Sequence, residues 1–204
     1  MAILVEDLVA LDDMRPVVDT LVTELGTLDV LVNNAGGAAP APFTQTTGTQ
    51  LDEALHFNVT MAFELVKAAL PHLLRSDGAS VVNVSSNMGH LVQRGLLVYG
   101  VAKAALSHMT RLLAADLAPR IRVNAVAPAV VDTTGVRSAL TGELRERIVA
   151  ATPLGRLAAP EDVARAIAWL GSSASSYVTG QVIDLDGGAH APTFPRDIPD
   201  VGPA

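Results

Sequence analysis

The 204-residue chain contains no cysteine, so neither a disulfide nor a thiolate metal site can be part of its design, and redox compartment does not constrain it. It is also poor in aromatic residues, at 3%, and has lysine only at Lys67 and Lys103. A net charge of −7 and a pI near 5.1, with no cluster of Lys or Arg, oppose binding to nucleic acid or an anionic membrane. No apolar run approaches the ~18 residues that would suggest a membrane span, and Glu6 and Asp7 stand where a signal peptide would carry basic residues. Nucleophile-elbow and zinc-protease motifs are missing, and the five histidines, His56, His72, His90, His108 and His190, lack ligand spacing, so no metal is expected. Small-molecule chemistry in the cytoplasm is the expectation that remains.

What is present reads as one α/β domain. Hydrophobic residues make up 50% of the chain and mean hydropathy is positive, which suits a substantial core. Short apolar runs at Ala2–Val5, Asp29–Val32, Ser80–Ser85, Ile121–Val126 and Gln181–Leu185 have the form of buried strands. Between them lie helical patterns: one capped by Asp12 or Asp13 and ended by Gly26, one over 49–75 interrupted near Asn58, and others over 98–117, 142–150 and 160–171. Residues 129–141 read as an irregular lid or surface connection. The alternation predicts a parallel sheet with helices on both faces, over residues 1–191, and a proline-rich tail over 192–204.

The stretch from Ser80 to Lys103 carries the chemistry. Tyr99 and Lys103 are four residues apart on a predicted helix, one turn, so phenol and ammonium project from the same face. A phenol titrates near pH ~10, and a neighbouring ammonium draws that value down toward the range where a proton moves either way. Ser86, at the end of the preceding strand, is placed to hydrogen-bond the same substrate oxygen. Asn58 is either a local kink or an amide turned inward at the site.

These residues, with Asn33-Asn34-Ala35-Gly36, Ile121-Arg122-Val123-Asn124 through Pro128, Tyr177-Val178-Thr179-Gly180 and Asp186-Gly187-Gly188, resemble the short-chain dehydrogenase/reductase family over nearly the whole chain to Ala189. The resemblance implies a Rossmann-like fold and an NAD(P)-dependent oxidoreductase that interconverts an alcohol and a carbonyl by hydride transfer, with NAD or NADP as cofactor. It implies that Tyr99 is the general acid/base, that Ser86 positions the substrate oxygen, that Lys103 lowers the tyrosine pKa and binds the nicotinamide ribose, and that Asn58 holds a water linked to Lys103. Asp7, Leu8, Asn33, Ala35, Gly36, Val131 and Thr133 would complete the cofactor site, with the Val131 backbone toward the carboxamide and Thr133 toward the carboxamide or the pyrophosphate. A homodimer or homotetramer through the helices following Asn58 and Val98 is implied as well, with His72, Leu106 and Met109 either at such a surface or packed within the chain. Leu91, Val92, Leu96 and Leu97 suggest an apolar substrate pocket.

Two departures stand out. Ala129 replaces a glycine usual in the family, and would be strained at positive φ. The glycine-rich turn that would hold the pyrophosphate is missing, the first glycine being Gly26, so the fold is expected to be truncated at its N-terminus and the choice of NAD or NADP is unreadable. Without the family's first two strands, Asp29–Val32 becomes an unpaired apolar edge, which Ala2–Val5 could cover through a right-handed crossover. A chain start set too late explains the gap more plainly. The alternative function is a catalytically silent fragment or a non-enzymatic partner subunit that binds no dinucleotide.

Overall fold

The computed structural model describes residues 13–192 and 198. Four parallel strands form one sheet in the order β1 (Val30–Asn33), β2 (Ser80–Val84), β3 (Arg122–Pro128), β4 (Val182–Leu185). The register sets Val30 opposite Ser80, Ser80 opposite Arg122 and Ala125 opposite Val182. Because side chains alternate across a strand, Val81 and Val123 face one side while Val82 and Val126 face the other.

On the first side α1 (Arg15–Leu25), α3 (Met61–Leu73) and α4 (Leu97–Leu117) bury Val18, Val66, Leu73 and Ala114 against the sheet. On the second side α7 (Pro160–Gly171) buries Leu170 against Val82 and Val126. Met14 is the N-cap of α1, and Asp13 just before it accepts a hydrogen bond from the Arg15 amide at 2.9 Å through its carboxylate. Asp12 and the proposed strand Ala2–Val5 lie outside the described residues. Among those described, β1 pairs only with β2, and Val30 and Val32 are 38% and 40% exposed, which is the open apolar edge that the sequence predicts.

The long helical pattern divides into α2 (Gly48–Leu55), one π turn (His56–Thr60) and α3. A π turn closes with a hydrogen bond one residue longer than the α type, here from the Met61 amide to the His56 carbonyl. Residues 129–141, expected to be irregular, contain a short helix α5 (Thr134–Ala139), followed by α6 (Gly142–Ala150). No described residue other than glycine has positive φ, so Ala129 is unstrained and the expected penalty is absent. Leu106 is buried, at 1% exposure, and His72 meets Asp19 of α1 at 2.9 Å, so both serve packing within the chain. Among the described residues, no helix is long and apolar enough to cross a membrane.

Candidate active site

The carboxyl ends of β1, β2 and β3 deliver the predicted residues to one end of the sheet, where ligands of open parallel sheets bind. Ser86 follows β2 directly; its hydroxyl accepts from the Met88 amide at 3.2 Å and lies 3.5 Å from the Pro128 carbonyl. Helix α4 begins ten residues beyond the strand's neighbouring Asn87 and is pinned to β2 by Ser85, whose hydroxyl donates to the Lys103 carbonyl at 3.0 Å and meets Ser107 at 2.7 Å. That anchorage fixes the turn of helix bearing Tyr99 and Lys103.

Lys103 is 3% exposed, and its ammonium donates to the Val84 carbonyl at 2.9 Å. Its Nζ stands 5.8 Å from the centre of the Tyr99 ring. An ammonium has three N–H donors, so two remain for a ligand. Burial lowers the Lys103 pKa to about 8, because a poorly solvated ammonium is costly. Tyr99 behaves differently from the expectation: burial raises its pKa, and the hydrogen bond with Ser86 only partly offsets that. Desolvation thus dominates, and the phenol is held protonated at neutral pH.

Asn58 is turned inward and fully buried. Its amide donates to the Gly37 carbonyl at 2.9 Å and to the Ala54 carbonyl at 2.8 Å, and its Oδ1 accepts from the Gly37 amide at 2.9 Å. Both N–H groups are spent on backbone, so the side chain's chief work is to fasten the loop after β1 to the π turn. A Cβ on Gly36 would lie 2.6 Å from Asn58 Oδ1 and 2.8 Å from Lys103 Nζ, closer than real contacts allow. Glycine at 36 is therefore required by close approach. Gly36→Ala is expected to displace the lysine and lower turnover by roughly tenfold or more while the circular-dichroism spectrum stays native.

Several of the assigned cofactor residues make contacts within the chain. The Asn33 side chain is buried and donates to Asn83 at 2.8 Å, and Asn83 in turn donates to Thr110 at 2.9 Å, so it stitches β1 to β2 and α4 instead of facing the strand end. Ala35 and Gly36 do face outward. The Thr133 hydroxyl caps α5 by accepting from the Val136 amide at 3.3 Å, and the Val131 carbonyl accepts from the Thr133 amide at 2.8 Å. Asp7 and Leu8 lie outside the described residues. The apolar residues Leu91, Val92, Leu96 and Leu97 do line a cavity of about 650 Å³, but with Gly100 and Val101 of α4. Neither Tyr99 nor Lys103 lines it.

The sequence and fold place these residues in a known setting. A family model described as enoyl-(acyl carrier protein) reductase matches residues 2–190. An uncharacterized oxidoreductase of Mycobacterium tuberculosis is 47% identical over 178 residues, 86% of this chain and 68% of that one. The 3-oxoacyl-[acyl-carrier-protein] reductase of Thermotoga maritima is 39% identical over 178 residues, 87% of this chain and 72% of that protein. A solved structure of 7 alpha-hydroxysteroid dehydrogenase, complexed with NADH and 7-oxo glycochenodeoxycholic acid, superposes with a TM-score of 0.86 at 32% identity, covering 93% of this chain and 74% of the other. This chain belongs to the short-chain dehydrogenase/reductase family, a family of Rossmann-like oxidoreductases.

Proposed function

We propose that the protein is an NAD(P)-dependent oxidoreductase interconverting a small-molecule alcohol and carbonyl, with Tyr99 as general acid/base, in the single domain over residues 1–191. The observation that carries this reading is the convergence of a buried ammonium, a desolvated phenol and a serine hydroxyl at the sheet's carboxyl end. Lys103 has two N–H donors to offer paired ligand oxygens such as a ribose diol, and the bare backbone at Gly36 admits a ligand closely, so the residues present fit a dinucleotide. When bound, such a cofactor supplies or accepts the hydride.

The chain's own groups account for the proton. The raised pKa of Tyr99 keeps its hydrogen on the phenol at neutral pH, ready to be donated to a substrate oxygen as negative charge develops there. Ser86, whose hydroxyl lowers the pKa of that phenol, holds the same oxygen in line. Lys103 supplies positive charge beneath the ring and steadies the phenolate left after donation. Asn58 maintains the loop at 36–37 above the lysine. Ala35, Gly36, Val131 and Thr133 are the backbone positions proposed to flank the cofactor.

Calorimetric titration of the 204-residue chain with NAD⁺, NADH, NADP⁺ and NADPH tests the reading. Micromolar affinity for one pair, together with loss of reduced-cofactor absorbance on adding members of a ketone panel, is the expected result. Absence of binding to all four overturns it in favour of a silent chain.

A further inference from the structure

Asp132 sits between Val131 and Thr133, four residues beyond the end of β3, and its carboxylate is gripped by two guanidinium groups from two different helices. Arg145 of α6 forks onto it with Nη1 to Oδ1 at 2.8 Å and Nη2 to Oδ2 at 3.2 Å. Arg137 of α5 adds one hydrogen bond, Nη2 to Oδ2 at 3.3 Å, with its Nε 3.2 Å from Oδ1 as an ion pair. The Asp132 backbone is itself fixed, its amide donating to the Ala158 carbonyl at 2.8 Å, while Val131 bridges Ala158 in parallel fashion. The carboxylate is thus a hub between the segment after β3 and two short helices.

Those helices have little else to hold them. Ile148 is the one buried side chain that α6 contributes, and the described side chains of α5 are exposed or half-buried. Surface ion pairs are usually weak because water screens them and two long side chains must be ordered. A guanidinium fork on a carboxylate, as Arg145 makes here, is the favourable exception, since the group is planar and preorganised for two parallel hydrogen bonds. Here the Asp132 side chain is only 19% exposed, whereas the two arginines are 64% and 44% exposed. The acidic partner is set in the protein and the basic partners reach in from the flap.

We propose that Asp132 is a positioning residue, a charge clamp that holds the α5–α6 flap down on the strand end and thereby sets how tightly the site closes over bound ligand. The kinetic half of this inference rests on the oxidoreductase reading; the structural half does not. Its lowered pKa, due first to the hydrogen bonds from Arg145 and then to those from Arg137, keeps Asp132 ionised across the neutral range, so the clamp is engaged under ordinary conditions.

Hydrogen exchange of the whole chain, measured on peptides covering 134–150, separates the two halves. In Asp132→Asn, exchange there is expected to rise roughly fivefold to tenfold while peptides from β2 and β3 stay unchanged. Raising salt is expected to speed exchange of the same peptides in the parent protein and to leave Asp132→Asn unaffected, as only a charge-dependent tie would. Arg145→Lys, which keeps the charge and loses the fork, is expected to fall between them. With a turned-over ketone, Asp132→Asn is expected to raise KM several-fold with kcat within about twofold. Unchanged exchange over 134–150 overturns the clamp even if activity falls. Faster exchange with no dinucleotide binding in either protein sustains the clamp and removes the oxidoreductase reading instead.

Discussion

Replacing Tyr99 with phenylalanine is expected to reduce turnover by roughly 10²–10⁴-fold, the usual worth of a positioned general acid/base, with cofactor affinity little changed. The substitution removes one oxygen and keeps the ring, so the contact with Lys103 and the packing of α4 survive. A pH series adds a second test. Because burial raises the phenol's pKa, the parent protein holds its proton through neutral pH, and carbonyl reduction is expected to stay level until the solution becomes strongly alkaline. Alcohol oxidation, which needs the phenolate, is expected to climb over the same interval. Measuring both directions from pH 6 to 10 with the parent and Tyr99→Phe proteins checks this, and a level oxidation rate would remove Tyr99 as the base.

Lys103→Met is expected to abolish most activity, by about 10²-fold or more, and at the same time to make the fold more stable. The lysine is 3% exposed, and burial brings its pKa from 10.5 to about 8. Between those values the unfolded chain binds a proton that the folded chain does not, so stability of the parent rises as pH rises through that window. Below about pH 8 the folded protein carries the full cost of a buried ammonium. Removing it is expected to contribute on the order of 2–3 kcal/mol at pH 7, offset in part because the Val84 carbonyl loses its donor. The methionine retains the apolar stem, so the space stays filled. Thermal unfolding at pH 7 and pH 10 is the measurement: the variant's advantage should shrink at the higher pH. Equal shifts at both pH values would mean that the charge is not what limits stability.

Both predictions depend on features that the sequence only half discloses. Strand and helix positions were readable because apolar runs and 3.6-residue periodicity are local, and the four strands of the described sheet fall within a residue or two of expectation. The gathering of Ser86, Tyr99 and Lys103 was readable too, since helix spacing fixes two of them and the strand end fixes the third. The direction of the Tyr99 shift was not, because desolvation is set by side chains distant in sequence. Asn33 looked like a ligand contact until the register placed it opposite Asn83, with Thr110 beyond. Helix α5 carries no apolar stripe; its evidence is a Thr133 cap and an arginine bound to Asp132, and neither shows as periodicity. The apolar residues at 91–97 do line one cavity, but neither Tyr99 nor Lys103 is part of its wall, which closeness along the chain does not disclose.

The π turn at His56–Thr60 has a consequence for how this chain tolerates change in length. One surplus residue in a helix advances everything after it by ~100° about the axis. Ala54 of α2, before that turn, packs against Val98 and Ala102 of α4, whereas Val66, Ala69 and Leu73 of α3, after it, pack against the sheet. Removing any single residue from 56–60 would restore an uninterrupted α-helix and yet rotate one half of it against its neighbours. The same excision would withdraw Asn58 from Gly37, so the loop over Lys103 is fastened by a count of residues as much as by the amide that sits there.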